Sequence, residues 1–296
     1  MKQKSRTEYS VMNTTVAFLA QTLAIFMGFF TRVVFTRTLS EGYVGINGLF
    51  TDILNILSLS ELGVGTAITY ALYAPIARRD IKKQQILMRM FRNFYRITAG
   101  FVVLAGLCLI PFLDILMKDR PDVNHLIIIY LLYLLNSVVS YLLIYKKTLV
   151  DAHQMNYITV MYHNGFLVLQ DILQIMALFL TRNFILFLVI TVVCTIIGNI
   201  CMSRKADRLF PYLKEPCKEQ LPQEERHDIL RNVKAMLMHK IGNVVVNNTD
   251  NLLISSFVGI ISAGIYSNYY LIIGSVRQVL ELSLIHISEP TRLGMI

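Results

Sequence analysis

Eight mostly apolar stretches follow one another along this chain, at residues 11–35, 46–71, 97–117, 126–145, 158–180, 184–201, 236–257 and 261–279. Each is close to the length of about 20 residues that a helix needs to cross a bilayer. Only 16% of the residues are charged and the mean hydropathy is +0.54, whereas soluble domains are about a quarter charged. The fold class that follows is all-α: a polytopic bundle of transmembrane helices.

A net charge of +9 would suggest nucleic acid in a soluble domain, but its distribution says otherwise. With the N-terminus inside and the spans alternating, twenty-one lysines and arginines face the inner side. They include Lys2, Lys4, Arg78, Arg79, Lys82, Lys83, Lys146, Lys147 and the block from Arg204 to Lys234. The outer side holds four: Arg37, Lys118, Arg120 and Arg182. This is a positive-inside signal for a cytoplasmic N-terminus, and no nucleic-acid partner is expected. The basic start, MKQKSR, precedes an apolar run about twice as long as a signal-peptide core. Gln21, Gly28 and Arg32 punctuate that run, so it reads as a retained first helix.

Other chemistries find little footing. Cys108, Cys194, Cys201 and Cys217 have no metal-ligand spacing, and His125, His153 and His163 are scattered. No phosphate-binding glycine loop or nucleophile elbow occurs. No catalytic residue, metal or cofactor is assigned, and ATP-driven transport by this chain is not expected. Asn13-Thr14-Thr15 and Asn247-Asn248-Thr249 match the glycosylation pattern but lie at or inside spans. The tyrosines, Tyr130, Tyr133 and Tyr141 among them, read mainly as interface anchors or core, and the methionines as packing.

The segment 240–258 is apolar yet carries a polar stripe. Lys240, Asn243, Asn247, Asp250, Asn251 and Ser255 recur at spacings of three and four, which puts them on one helical face. Polar groups that persist in hydrocarbon usually face a bundle interior or a watered cavity, and a membrane helix with one wet face suggests a transport pathway. A weak internal repeat supports this. At an offset of 222 residues, Ser40 meets Ser262, Gly42 meets Gly264, Gln21 meets Asn243 and Gly28 meets Asp250. Six helices per unit give repeats of the same orientation about an axis along the membrane normal. The expected organisation is a first six-helix lobe over 1–203, a cytoplasmic linker over 204–230, and the first two helices of a second lobe over 231–281. The last stretch, 282–296, opens with LSLIHISEPTR, which resembles the translation of a sequencing-library adaptor. It is expected to be non-native, and the second lobe to be cut short.

The run from Leu39 to Lys83, with Glu61–Ala67 reading E-L-G-x-G-x-A, resembles bacterial polysaccharide and O-antigen-type flippases, as does the T-D-N…G-x-Y-S-N-Y run over 249–269. These belong to the multidrug/oligosaccharidyl-lipid/polysaccharide exporter superfamily. The resemblance covers about 10–279. It implies a multi-pass transporter of the bacterial cytoplasmic membrane serving lipopolysaccharide or other surface-polysaccharide biosynthesis. Its expected cargo is undecaprenyl-diphosphate-linked oligosaccharide, moved to the outer leaflet by alternating access and driven by a substrate gradient, the membrane potential or a coupling ion, proton or sodium. Other readings are a multidrug cation antiporter of the same superfamily, or an enzyme or scaffold of polysaccharide assembly. The short outer loops weigh against an enzyme.

Flipping sets chemical requirements: hydrogen-bonding groups for hydroxyls and a cation for the diphosphate, while the prenyl tail stays among membrane lipids. Arg32 reaches the diphosphate, snorkels outward or pairs with Asp52. Gln21, Asn243, Asn247 and Asn251 are candidate cavity groups. Asp250 binds a coupling ion, balances Arg32 between the lobes, or packs helices together. Asp171, flanked by Gln170 and Gln174, is a second ion-coupling candidate. Glu61 with Gly63 and Gly65 marks either a bend that moves between states or a partner for an inner arginine.

Overall fold

The computed structural model describes residues 6–57, 64–117, 123–215 and 221–293. It describes the backbone alone over 6–11, 239–248 and 281–293 and at a few further positions. The described chain is helical: α1 (Arg6–Thr38), α2 (Glu41–Leu57), α3 (Val64–Ala77), α4 (Ile81–Leu109), α5 (Leu126–Leu142), α6 (Ile144–Ala152), α7 (Asn156–Thr181), α8 (Phe184–Leu209), α9 (Gln223–Asn248), α10 (Asp250–Leu253) and α11 (Ile260–Leu293). Among the described residues, four helices are long and apolar enough to cross a membrane, and the bent pair α5–α6 makes a fifth span. The protein is a multi-pass helical membrane bundle.

Two of the eight anticipated spans take a different form. The stretch 46–71 holds α2 and the start of α3, with residues 58–63 between them outside the described residues. The stretch 126–145 continues into α6 across a 43° bend. The stretch 236–257 divides at Thr249 into α9, α10 and a single π-helical turn, Ile254–Val258. Lys240, Asn243, Asn247 and Asp250 dilute its apolar character. The anticipated long loop also shrinks, because α8 runs on to Leu209 and α9 begins at Gln223. Charged residues there prolong helices beyond the hydrocarbon, where water serves their side chains.

Burial is inverted relative to a soluble protein. Phe18, Leu19, Leu23, Phe26 and Phe30 lie outward along α1, as a lipid-facing surface should. The core sits between α2, α3, α4, α5 and α6, where Phe50, Ile68, Leu72, Leu87, Phe91, Ile129, Tyr130 and Leu149 are fully buried. Tyr130 donates its hydroxyl to the Gly106 carbonyl at 2.8 Å, which satisfies the one polar atom that its burial would otherwise strand. Asn183 caps α8 by accepting from the Ile185 and Leu186 amides at 2.8 and 3.2 Å, the usual N-cap geometry.

Two packings set helix direction. Asn13 of α1 bonds the Gln154 carbonyl at 2.9 Å and the Tyr157 amide at 2.8 Å, just before and at the start of α7. Eighteen residues on, Thr31 meets Asp171. Contact thus advances along both helices together, and α1 and α7 run parallel. On α2 and α11 the register is read from glycines. A Cβ on Gly45 would lie 2.2 Å from the Ile260 carbonyl oxygen, one on Gly264 would lie 2.9 Å from the Gly45 amide nitrogen, and one on Gly48 would lie 3.2 Å from Ser267 Cβ. Gly45 with Gly264 and Gly48 with Ser267 are each 219 positions apart, so these helices also run parallel. Only residues without a side chain admit that approach. Gly259, at φ 145°, makes the turn from the π-helical segment into α11, in a region open to glycine.

Polar ties gather at the basic end of the bundle. Lys146 reaches Asp207 and Ser203, both at 2.8 Å, joining α6 to α8. Lys83 pairs with Glu225 at 2.8 Å, joining α4 to α9. Tyr212 donates to Gln84 at 2.6 Å, and burial pushes its phenol up to about 12. His153 packs on Phe210 with ring centroids 4.4 Å apart, and burial holds its pKa below the ordinary 6.5.

Two outcomes are expected. Gly48→Cys/Ser267→Cys should form an oxidant-dependent disulfide, visible as a gel shift that either single variant lacks, because the Cβ positions approach bonding separation. His153 binds its proton more readily unfolded than folded, so its contribution to stability rises with pH up to about 6.5. Lowering the pH from about 7.5 to about 5.5 should cost the unaltered protein up to about 1 kcal/mol more than His153→Gln, read from thermal unfolding in detergent.

Candidate functional site

A cavity of about 650 Å³ lies inside the bundle, walled by α1, α2, α5, α7 and α8, with Leu271 of α11. Its lining is polar for a membrane interior. From α2 come Asn47, Thr51 and Asn55, one turn apart on a single face. From α5 come Tyr133, Asn136, Ser137, Ser140 and Tyr141, and from α7 Gln170, Asp171 and Gln174. α1 supplies Thr31 and Arg32. An aromatic cluster closes the end nearest the α1–α2 corner: Phe35 lies 5.5 Å from Phe184 and 5.2 Å from Phe187, and Tyr43 lies 5.1 Å from Phe184.

Arg32 is the cation of this cavity. Its Nε donates to Asn268 Oδ1 and an Nη to Ser267 Oγ, both at 2.6 Å, and its guanidinium carbon stands 5.5 Å from the Phe35 ring centre. Both acceptors are neutral, and among the described residues Arg32 has no carboxylate within ion-pair distance. The side chain is therefore oriented, not neutralised. Pairing with Asp52 is not found: Asp52 accepts from Asn251 Nδ2 at 2.7 Å. Asp171 accepts from Thr31 Oγ1 at 3.0 Å, which leaves the carboxylate further acceptor capacity toward the cavity. Gln174 is held by Thr191 at 2.8 Å, and Tyr133 donates to Asn47. Asn136 Oδ1 is buried without a hydrogen-bond partner. The cavity thus offers an uncompensated cation, a carboxylate and several neutral donors and acceptors. Among the described residues no cluster of three or more His, Cys, Asp or Glu is placed to hold a metal ion.

Residues 10–285 match the family described as polysaccharide biosynthesis protein. The chain belongs to that family. No curated protein and no solved structure matches it. Membership agrees with the resemblance carried by the 39–83 and 249–269 runs. It makes the chain a membrane protein of polysaccharide biosynthesis.

Within this family member the anticipated site residues part company. Arg32 and Asp171 share the cavity. Gln21 lies half-buried on α1, outside the cavity lining. Asp250 accepts from the Tyr266 hydroxyl on α11 and Asn251 serves Asp52, so the lower part of the stripe ties α10 to α11 and α2. Asn243 and Asn247 lie on α9, but their side chains are outside what is described, as are Glu61 and Gly63 altogether. Gly65 is half-buried at the start of α3, where an added Cβ would stand 3.4 Å from the Tyr95 hydroxyl. Asn47, Thr51, Asn55, Asn136 and Ser140 were not singled out from the sequence, although their spacings of four belong to the same helical periodicity as the stripe over 240–255. Tyr133 and Tyr141 line the cavity, and Tyr141 is at the same time part of the buried core, in keeping with its reading as core. Asn136 keeps an unpaired buried oxygen, a feature that works against stability. Asn136→Leu should therefore unfold at an unchanged or higher temperature, within about 1 kcal/mol of the unaltered protein, on heating in detergent.

Proposed function

We propose that this protein flips a polyprenyl-diphosphate-linked oligosaccharide across the cytoplasmic membrane, from the inner to the outer leaflet, by alternating access. The observation that carries the reading is Arg32: a cation inside the bundle, aimed by Asn268 and Ser267 yet neutralised by neither. A charge in low dielectric without a counter-charge is costly, and a diphosphate passing through the cavity would supply one. The hydroxyls and amides of α2 and α5 suit sugar hydroxyls, and the cavity volume lies within the range of small-molecule sites. The prenyl tail stays in lipid throughout.

The positive-inside distribution supports a cytoplasmic N-terminus, which makes the α1–α2 corner the outer end. On that orientation, the Phe35–Phe184–Phe187 cluster and the α2–α11 glycine crossing form an outer seal, so this conformation is closed to the outside. Asp171 is the ion-coupling group in this reading, since it faces the cavity. Asp250, held by Tyr266, links helices.

Asp171 also favours a second reading, antiport of organic cations, because a cavity carboxylate is what such cargo requires. The two separate in proteoliposomes. Exposure of a labelled lipid-linked oligosaccharide should fall at least about tenfold in Arg32→Ala and recover in part in Arg32→Lys, the expected scale for losing a charge-assisted contact. Asp171→Asn should alter its pH or sodium dependence, whereas Asp250→Asn should leave that dependence as it is. Unchanged flipping in Arg32→Ala at equal protein level would sink the proposal. Efflux of ethidium abolished by Asp171→Asn but indifferent to Arg32 would favour antiport.

A further inference from the structure

Away from the cavity, a groove of about 370 Å³ separates α4 from α9. The helices are tied at their beginnings by Lys83 and Glu225. Both run away from the basic end, so groove depth follows residue number. Arg226 lines its shallow end, Arg89 and Leu230 stand about level, and Val233, Phe94 and Ile97 line the deeper part.

The depth has a physical scale. α4 and the turn after it, Ile81–Phe112, are 32 residues long, about 48 Å at 1.5 Å per residue. Hydrocarbon is about 30 Å thick, so roughly a third of this helix stands in the interfacial layer. Its cations, Lys82, Lys83, Arg89, Arg92 and Arg96, all precede Ile97, and α4 contains no carboxylate. Counted back about 30 Å from Phe112, hydrocarbon begins near residue 93, and Ile97, 73% exposed, lies within it. Arg89 stands about 6 Å nearer the surface than that boundary, at the level of lipid phosphates. On α9, Glu225 is engaged by Lys83 and Asp228 by Arg231 at 3.1 Å. The carboxylate left in that first turn is Glu224, and Arg226 has no ion pair among the described residues.

We propose that this groove binds an anionic glycerophospholipid, its phosphate between Arg89 and Arg226 and one acyl chain along Phe94, Ile97, Leu230 and Val233. Charge complementarity selects the headgroup, since basic pockets between helices on this side of a membrane favour acidic lipids. The order of polarity along the groove, arginine first and apolar wall after, matches a lipid entering headgroup-level with its tail downward. Such a lipid fills the space between α4 and α9 that protein leaves open, independently of what the cavity transports.

The chain has no tryptophan, so Phe94→Trp places a single fluorophore in the groove. In phosphatidylcholine bilayers, brominated phosphatidylglycerol should quench it at a markedly lower mole fraction than brominated phosphatidylcholine, by about fivefold for each arginine engaged. Adding Arg89→Gln and Arg226→Gln should erase the preference, and Arg204→Gln/Arg208→Gln, at a basic site elsewhere, should leave it. If Phe94→Trp does not fold, native mass spectrometry of the protein with and without Arg89→Gln/Arg226→Gln reads the same preference as retained phosphatidylglycerol. Equal quenching by the two lipids would overturn the proposal, as would equal loss in the Arg204/Arg208 variant. Displacement of phosphatidylglycerol by citronellyl diphosphate in an Arg89-dependent manner would reassign the groove to prenyl diphosphates and overturn it too.

Discussion

A polar group within hydrocarbon must bond to protein, water or cargo, because lipid offers it nothing. That constraint orders this molecule. Where partners are found inside the chain, the polar residue is structural: Tyr130 on the Gly106 carbonyl and Tyr266 on Asp250. Elsewhere partners are incomplete: Arg32 is aimed by two neutral acceptors, and Asn136 and Asn251 each keep a buried oxygen without a hydrogen-bond partner among the described residues. Arg32 and Asn136 line one cavity, which the proposed function takes as the working surface.

The same accounting explains why α11 matters to a cavity that it scarcely lines. Arg32 of α1 is bonded by Ser267 and Asn268 of α11, and α11 crosses α2 at Gly45 and Gly264 with backbone nearly touching backbone. Asp250 and Asn251, on the short helix before α11, hold α11 and α2 respectively. These contacts converge on the α2–α11 pair. A rigid-body separation of α11 from α2 would release Arg32 from its acceptors and open the glycine crossing in one movement. If the proposed function holds, cargo phosphate that replaces Ser267 and Asn268 on Arg32 would favour that separation, since it would bind better where those acceptors have withdrawn.

Much of this was legible in the sequence, and what was missed has a physical cause. Length and hydropathy suffice for spans that are uniformly apolar, as in α7 and α8. They fail at Thr249, where the polar stripe coincides with a helix break. A stripe specifies a face but not what that face meets. The 240–255 stripe promised a cavity, yet Asp250 and Asn251 spend their hydrogen bonds on neighbouring helices. The stripe on α2, Asn47–Thr51–Asn55, had the same periodicity and does line the cavity. It was obscured by flanking Ile, Leu and Phe that made the segment look like ordinary core. Arg32 and Asp171 stood out because a charge in hydrocarbon is rare enough to be informative by itself.

The repeat read at an offset of 222 residues invites a comparison with the packing. Two helices related by such a repeat and crossing at its axis would place residue i beside residue i + 222. The observed partners, Gly45 with Gly264 and Gly48 with Ser267, are 219 apart. On a parallel pair this amounts to a slide of about 4.5 Å, nearly one helical turn. A slide of one turn brings small residues into the crossing: Gly264 falls on Gly45, and Ser267 on Gly48. In the unslid register Gly45 would face Ser267, and Gly48 would face Tyr270, whose ring cannot sit where a Cβ already lacks room. Sterics at the crossing therefore select the register, and the register in turn carries Ser267 and Asn268 to the height of Arg32. The orientation of the cavity's cation is thus a consequence of where two glycines allow two helices to touch.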